Sequence, residues 1–173
     1  MKGAIFLDKD GTLVDNSKYP EVIPSDEILE NDVIEGLKYL QNKGYRLIIV
    51  SNQPSIAKGR LTKEEIENIF KSVVSKLNEK GVIIDDYFYC PHQSSDNCMC
   101  KKPKPSMILE AAKKHDIDLL SSYIIGDMDA DVLAGKNAGV KSILVMTGNG
   151  KDFVGKVNAD YVIKNLNEIN KVI

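Results

Sequence analysis

The chain has 173 residues, 43% hydrophobic and 28% charged, with 23 basic and 25 acidic residues and a net charge of −2. That size and balance suit one globular domain, residues 1–173, with a sizeable core. They speak against the basic face of a nucleic-acid binder, and no apolar run approaches the roughly 18 residues of a membrane span. The opening residues MKGAIFLDKDGTL hold only the short apolar run AIFL before charges begin. A secretory leader needs more than that, so a cytoplasmic location is expected.

In chain order, AIFL at 4–7 reads as a fully buried strand. Residues 31–43 carry Val33, Ile34, Leu37 and Leu40 at helical spacing, with Gly44 as a stop. RLIIV at 46–50 is a second buried strand. The stretch TKEE opens a helix over 62–80, because S/T-x-x-E is the form of a capping box. A third strand is expected over 86–90, and a helix with proline in its first turn over 105–115. Strands at 123–126, 142–145 and 161–163 then alternate with helices at 130–137 and 166–172. This alternation predicts an α/β fold. It would be a three-layer, Rossmann-like, mostly parallel sheet with helices on both faces.

In such sheets ligands bind at the carboxyl ends of the strands. The residues there are Asp8-Lys9-Asp10-Gly11-Thr12, Ser51-Asn52-Gln53, and Asp127-Met128-Asp129-Ala130-Asp131, with Lys101-Lys102-Pro103 just before the 105–115 helix. Acids brought to one edge repel unless a cation lies among them, and oxygen-only ligands suit Mg2+ together with a phosphate. A hydroxyl and a lysine beside that ion can hold further phosphate oxygens. Asp8 can then attack phosphorus, and Asp10 can pass the protons. D-x-D-G-T alone also reads as a plain turn or helix cap. The other three segments, in order at strand ends, favour the catalytic reading.

All three cysteines lie in CPHQSSDNCMC, residues 90–100. Cys90, His92, Cys98 and Cys100 form a Cys3His set, which predicts a closed structural zinc site in this loop. The alternative is a chance cluster of free thiols.

Four motifs, FLDKDGTL, VSNQ, the lysine of CKKPKP, and IIGDMDAD, make the chain resemble the haloacid dehalogenase superfamily of phosphatases along nearly its whole length. The resemblance implies Asp8 as nucleophile, Asp10 as general acid/base, and Ser51 and Lys102 as phosphoryl holders. It also implies Mg2+ on Asp8, the Asp10 carbonyl and Asp127, with Asp131 behind the metal or at the start of the following helix. SNQPSIAKG and CPH…CMCKKPKPSM resemble the heptose 1,7-bisphosphate phosphatases, whose zinc loop is shared by the bacterial histidinol-phosphatases. Three departures from those patterns stand out: Lys101 in place of arginine, Pro54-Ser55 in place of a small pair, and Met128 in place of a cation. Lys18 or Lys58 would compensate for the last.

The intervals Asp10–Ser51 and Ser51–Lys102 are too short for a cap domain, so loops 14–30, 53–60 and 91–101 must shape the cleft. The candidate substrate-binding residues are Asn16, Ser17, Lys18, Tyr19, Asn52, Gln53 and Lys101. The expected activity is Mg2+-dependent hydrolysis of a phosphomonoester by a monomer. The substrate would be a small phosphorylated metabolite, foremost the C7 phosphate of a heptose 1,7-bisphosphate. Histidinol phosphate comes second and a polynucleotide 3′-phosphate third. No nucleic-acid or membrane partner is expected under the leading reading. A silent binding module would be expected to have lost Asp8, Asp10 or Lys102.

Overall fold

The structure, a computed structural model, describes residues 3–18 and 25–173. Six strands form one sheet: β1 (Ala4–Leu7), β2 (Arg46–Asn52), β3 (Asp86–Cys90), β4 (Tyr123–Gly126), β5 (Lys141–Val145) and β6 (Tyr161–Ile163). Four α-helices accompany them: α1 (Glu30–Asn42), α2 (Lys63–Glu79), α3 (Ser106–His115) and α4 (Asp129–Ala138). All the expected strands and these four helices are present, with ends displaced by no more than two residues. The last segment departs from expectation. Leu166–Lys171 is a 3₁₀ helix, not an α-helix. It is only six residues long, opened by the Asn165 side chain accepting from Asn167 N–H, and so short a segment commonly takes the tighter winding.

The strand order is β3-β2-β1-β4-β5-β6, and every neighbouring pair is parallel. Strand alternation sends Ile5 and Leu7 to one face of β1 and Ala4 and Phe6 to the other. The first face packs under α1 and α2, through Leu37 and Phe70 among others, and the second under α3 and α4, through Ile108 and Ala134. Both faces are therefore dry, which is why β1 needs no polar residue until Asp8. The predicted capping box opens α2: Thr62 Oγ accepts from Glu65 N–H at 3.1 Å, and Glu65 accepts from Thr62 N–H at 2.7 Å. Among the described residues, no helix is long and apolar enough to cross a membrane.

The strand order reverses between β1 and β4, and the crevice at their carboxyl ends is where a doubly wound sheet binds its ligand. The sheet is closed from behind by the C-terminal segment lying against α1. Gly36 N–H donates to Asn167 Oδ1 at 2.9 Å, and Asn167 Nδ2 donates to the Asn31 carbonyl at 2.7 Å. A Cβ on Gly36 would sit 2.0 Å from the Leu166 carbonyl oxygen. Alanine in a helix interior is ordinarily better than glycine by about 1 kcal/mol. Here, Gly36→Ala should instead destabilise the protein by about 1–3 kcal/mol, the usual range for overpacking. A lower urea midpoint with an unchanged m-value would register that loss.

Candidate active site

β1 delivers Asp8 and β4 delivers Asp127 at the switch point, 7% and 0% exposed. Lys102 comes from the segment before α3 and buries its ammonium between Asp8 and Asp131. Its Nζ donates to Asp8 Oδ1 at 2.7 Å, Asp131 Oδ1 at 2.6 Å and the Val50 carbonyl at 2.8 Å, which uses all three of its hydrogens. Burial opposes a charge on Lys102. The Asp131 and Asp8 carboxylates outweigh it and hold the lysine above its ordinary pKa.

Asp131, in the first turn of α4, accepts from Met128 N–H at 3.1 Å with its other oxygen. Both of its oxygens are thus committed, as suits an acid behind the metal that starts a helix. Burial and then the charge of Asp8 push the Asp131 carboxyl up, and Lys102 draws it back.

Asp127 is different. One oxygen accepts from Asn149 N–H at 2.8 Å. The other, Oδ1, is alone among the buried side-chain polar atoms of the described residues in having no partner. Carboxylate oxygens of Asp8, Asp127 and Asp131 lie within 4.8 Å of one another. An orphaned, buried carboxylate oxygen facing another acid is what a hard divalent cation relieves. The residues present therefore fit Mg2+, held by Asp8 and Asp127. Burial, and next the charge of Asp8, push the Asp127 carboxyl up to about 8.

Asp10 lies beside them, bound on both oxygens: Oδ1 pairs with Lys9, and Oδ2 accepts from Gln53 Nε2 at 2.7 Å. Gln53 also donates to Ser51 Oγ at 3.0 Å. Asn52 lines the cleft, but its side chain clasps the backbone of Lys102, accepting from its N–H at 2.9 Å and donating to its carbonyl at 3.2 Å. Thr12 Oγ1 donates to Asp8 Oδ2 at 3.4 Å.

The cleft has a volume of about 630 Å³ and opens over Asp8 and Asp10. Of the expected substrate-binding residues, Asn16, Lys18, Asn52, Gln53 and Lys101 line it. Ser17 is not among the lining residues; its N–H and hydroxyl are both bonded to Asp15 at 2.9 Å. Tyr19 lies outside the described residues. Lys18 and Met128 both line the cleft, whereas Lys58 is not among the lining residues. The loop that carries Lys18 returns through Asp26, which accepts from Ser72 and pairs with Lys76 at 3.0 Å on α2.

The loop after β5 reaches the centre: Thr147 Oγ1 donates to the Gly11 carbonyl at 2.7 Å, and Asn149 holds Asp127. Gly148 has φ +54, and a Cβ there would meet Asp127 Oδ2 at 2.2 Å, so only glycine passes between. Its position at the carboxyl end of a strand was the signal available in the sequence.

The cysteine loop leaves β3 next to the end of β2, in register through Asn52 and Cys90. Its four candidate ligand atoms lie within 4.8 Å of one another. The Cys90–Cys98 and Cys98–Cys100 sulfurs are 3.5 and 3.7 Å apart, close to the spacing of about 3.8 Å that tetrahedral zinc with bonds of about 2.3 Å imposes. The Cys90–Cys100 pair, at 2.7 Å, lies inside it, and His92 Nδ1 is 3.2 Å from Cys100. The loop is braced by Ser106 Oγ on the Met99 carbonyl at 2.6 Å and by Lys104 on the Cys98 carbonyl. Lys104 is a strut because the loop folds back over the start of α3.

A haloacid-dehalogenase-hydrolase-like family model matches residues 99–169. The D-glycero-β-D-manno-heptose-1,7-bisphosphate 7-phosphatase of Pasteurella multocida is 37% identical, covering 100% of this chain and 97% of its own. The D-glycero-α-D-manno-heptose-1,7-bisphosphate 7-phosphatase of Photorhabdus laumondii is 38% identical, covering 83% of this chain and 82% of its own. This chain belongs to the heptose-bisphosphate phosphatase family of the haloacid dehalogenase superfamily. The crystal structure of D,D-heptose 1,7-bisphosphate phosphatase from B. bronchiseptica, complexed with magnesium and phosphate, superposes with a TM-score of 0.87. It is 27% identical and covers 99% of this chain and 97% of its own. The heptose-bisphosphate phosphatase fold thus covers nearly the whole chain, with no large cap among the described residues.

The raised Asp127 pKa has a sign that can be tested. Unfolded, the group titrates near its ordinary 3.8; folded and metal-free, it titrates at about 8. Its stabilising contribution is complete below the unfolded value and is lost as pH rises through the folded one. Protein dialysed free of magnesium should lose stability between pH 5 and 8, on the order of 1 kcal/mol per pH unit. Saturating Mg2+, which replaces the proton, should flatten that slope, and so should Asp127→Asn. Urea midpoints at several pH values give the comparison.

Proposed function

We propose that this chain hydrolyses a phosphomonoester through an aspartyl-phosphate on Asp8, and that its substrate is D-glycero-D-manno-heptose 1,7-bisphosphate, from which it removes the C7 phosphate. The observation that carries the reading is the meeting of Asp8, Asp10, Lys102 and the orphaned Asp127 oxygen at the switch point. The chain bearing this site is matched end to end by heptose-bisphosphate phosphatases. Nucleotide-heptose synthesis for surface polysaccharide is the corresponding role.

In this reading a carboxylate oxygen of Asp8 attacks phosphorus. The bond from phosphorus to the sugar oxygen breaks, and Asp10 gives its proton to the departing alkoxide. Asp10 then takes a proton from a water that attacks the aspartyl-phosphate, releasing phosphate and restoring Asp8. Lys102 and Ser51 hold the phosphoryl oxygens, and Lys102 neutralises Asp8 between turnovers. Mg2+, held by Asp8, the Asp10 carbonyl and Asp127, supplies charge neutralisation for the transferring group. With no cap to exclude water, transfer to water is the natural outcome. Lys18 and Lys101 are the cations on the rim suited to the second phosphate, and Lys18 offsets the cation that Met128 lacks. Asn16, Asn52 and Gln53 complete the floor.

A second reading, histidinol phosphate, has one observation in its favour: Asp15, Asp26 and Glu27 also line the cleft and could meet an ammonium. Asp15 is bonded to Ser17 and Asp26 to Ser72 and Lys76, which weakens it.

Phosphate release with Mg2+ from both anomers of the heptose bisphosphate and from histidinol phosphate separates the two. A heptose kcat/KM at least about a hundredfold higher, or about 2.7 kcal/mol, is expected. The reverse preference would overturn the sugar assignment. Asp8→Asn should abolish turnover while the fold survives; residual wild-type rates in that variant would remove Asp8 as nucleophile.

The cysteine loop is proposed to hold one structural Zn2+ that fixes Lys101 and Lys102, which directly follow Cys100. Metal analysis should find about one zinc per chain. Cys98→Ser should lose that zinc and lower kcat/KM by about tenfold or more, as removing a supporting metal interaction does. A folded, zinc-free protein with full kcat/KM would refute the coupling.

A further inference from the structure

Lys9 lies between the two aspartates of the β1 loop, and the mechanism above does not use it. It is a fully buried lysine, 0% exposed. Such a group needs a fixed partner, because an unpaired charge in a dry interior is costly. Its ammonium pairs with Asp10 Oδ1, donates to the Ser25 carbonyl at 3.2 Å and lies 5.7 Å from the centre of the Phe70 ring. Phe70 in turn stacks on Tyr87 and Tyr89, at 4.9 and 5.3 Å. Glu67 on the same helix accepts from both tyrosine hydroxyls, at 2.8 and 2.7 Å. The carboxylate left to balance Lys9 is Asp10.

Asp10 is therefore gripped from two sides: Lys9 takes Oδ1, and Gln53 takes Oδ2 at 2.7 Å while also donating to Ser51. An aspartate on a turn has two free torsions, and a proton donor must sit within about 2.6–3.2 Å of its acceptor to act. We infer that Lys9 is a positioning residue, which fixes the Asp10 carboxyl for proton transfer and ties it to the loop segment carrying Ser25. The inference rests on the reading of Asp10 as the acid/base. Lys9 exchanges no proton itself. As the phosphorus–oxygen bond breaks, the proton goes from Asp10 to the leaving oxygen, and Lys9 donates hydrogen bonds before and after.

A role through Asp10 leaves a signature that a structural role does not. A sugar alkoxide needs a proton to leave; nitrophenolate does not. In single-turnover experiments with Mg2+, Lys9→Met should slow release of the sugar from heptose bisphosphate by about 30-fold or more, within the range that general acid catalysis supplies. Release of nitrophenolate from p-nitrophenyl phosphate should slow by less than about threefold, since it draws on none of that catalysis. KM should hold, and Lys9→Arg, which keeps a buried donor, should recover most of the sugar rate. Equal losses on the two substrates, or no loss on the sugar, would overturn the inference. If Lys9→Met fails to fold, Lys9→Leu, which also lacks a donor, carries the same comparison with the same criterion. Asp10→Asn, run in parallel, separates the two levels. Should that variant show no leaving-group dependence, the acid role of Asp10 fails and the Lys9 inference falls with it. Should it show the dependence while the Lys9 variant does not, only the Lys9 inference falls.

Discussion

The ammonium of Lys102 is the point on which the rest of the site depends. Three buried acids, Asp8, Asp127 and Asp131, converge at one end of the sheet, and one lysine answers them. Ionised together, three carboxylates and one ammonium leave two negative charges, the deficit a divalent cation fills. The fold is arranged to assemble this set. Parallel pairing of β1 with β2 and with β4 brings the ends carrying Asp8, Ser51 and Asp127 side by side. The Val50 carbonyl takes the third hydrogen of Lys102, and Asn52 clamps its backbone. The cysteine loop brings the lysine in from β3, and the β5 loop steadies Asp127 from the far side.

Much of this was legible in the sequence, for definite reasons. Strands buried on both faces must be unbroken apolar runs, so AIFL and RLIIV marked themselves, and the polar residues that stopped each run marked the catalytic edge. The TKEE box located the start of α2 because capping is a local interaction. Less legible was what each polar side chain does once the chain closes. Lys102 and Asp8 are 94 residues apart, and no local pattern announces their contact. Asp131 shows the same limit: the resemblance implied an acid behind the metal or at a helix start, while its ion pair with Lys102 arises from packing. Asn52 and Gln53 carried the signature of ligand contacts, yet their amides are bonded within the protein, to Lys102, Asp10 and Ser51. Ser17 turned inward on Asp15, and Lys104 became a strut, because a short loop satisfies its own polar groups first.

Lys9 follows the same logic from the opposite side. Alternation along a short turn sends Asp8 and Asp10 toward the cleft and Lys9 into the protein, against the aromatic group of Phe70, Tyr87 and Tyr89. A charge there is tolerated because Asp10 supplies its counterion. The dry interior and the wall of the cleft are thereby joined in one ion pair.

The absence of a large cap separates two kinds of residue along the chain. The groups suited to the chemistry stand on strand ends and on a clamped lysine, each tied by several internal bonds. The groups suited to recognising a substrate, Lys18, Lys101 and Met128 among them, stand on the loops around the mouth. A change at the mouth need not disturb the strands beneath it. Such a scaffold can exchange one phosphorylated metabolite for another over evolutionary time by editing a few rim positions, with the hydrolytic centre inherited unaltered.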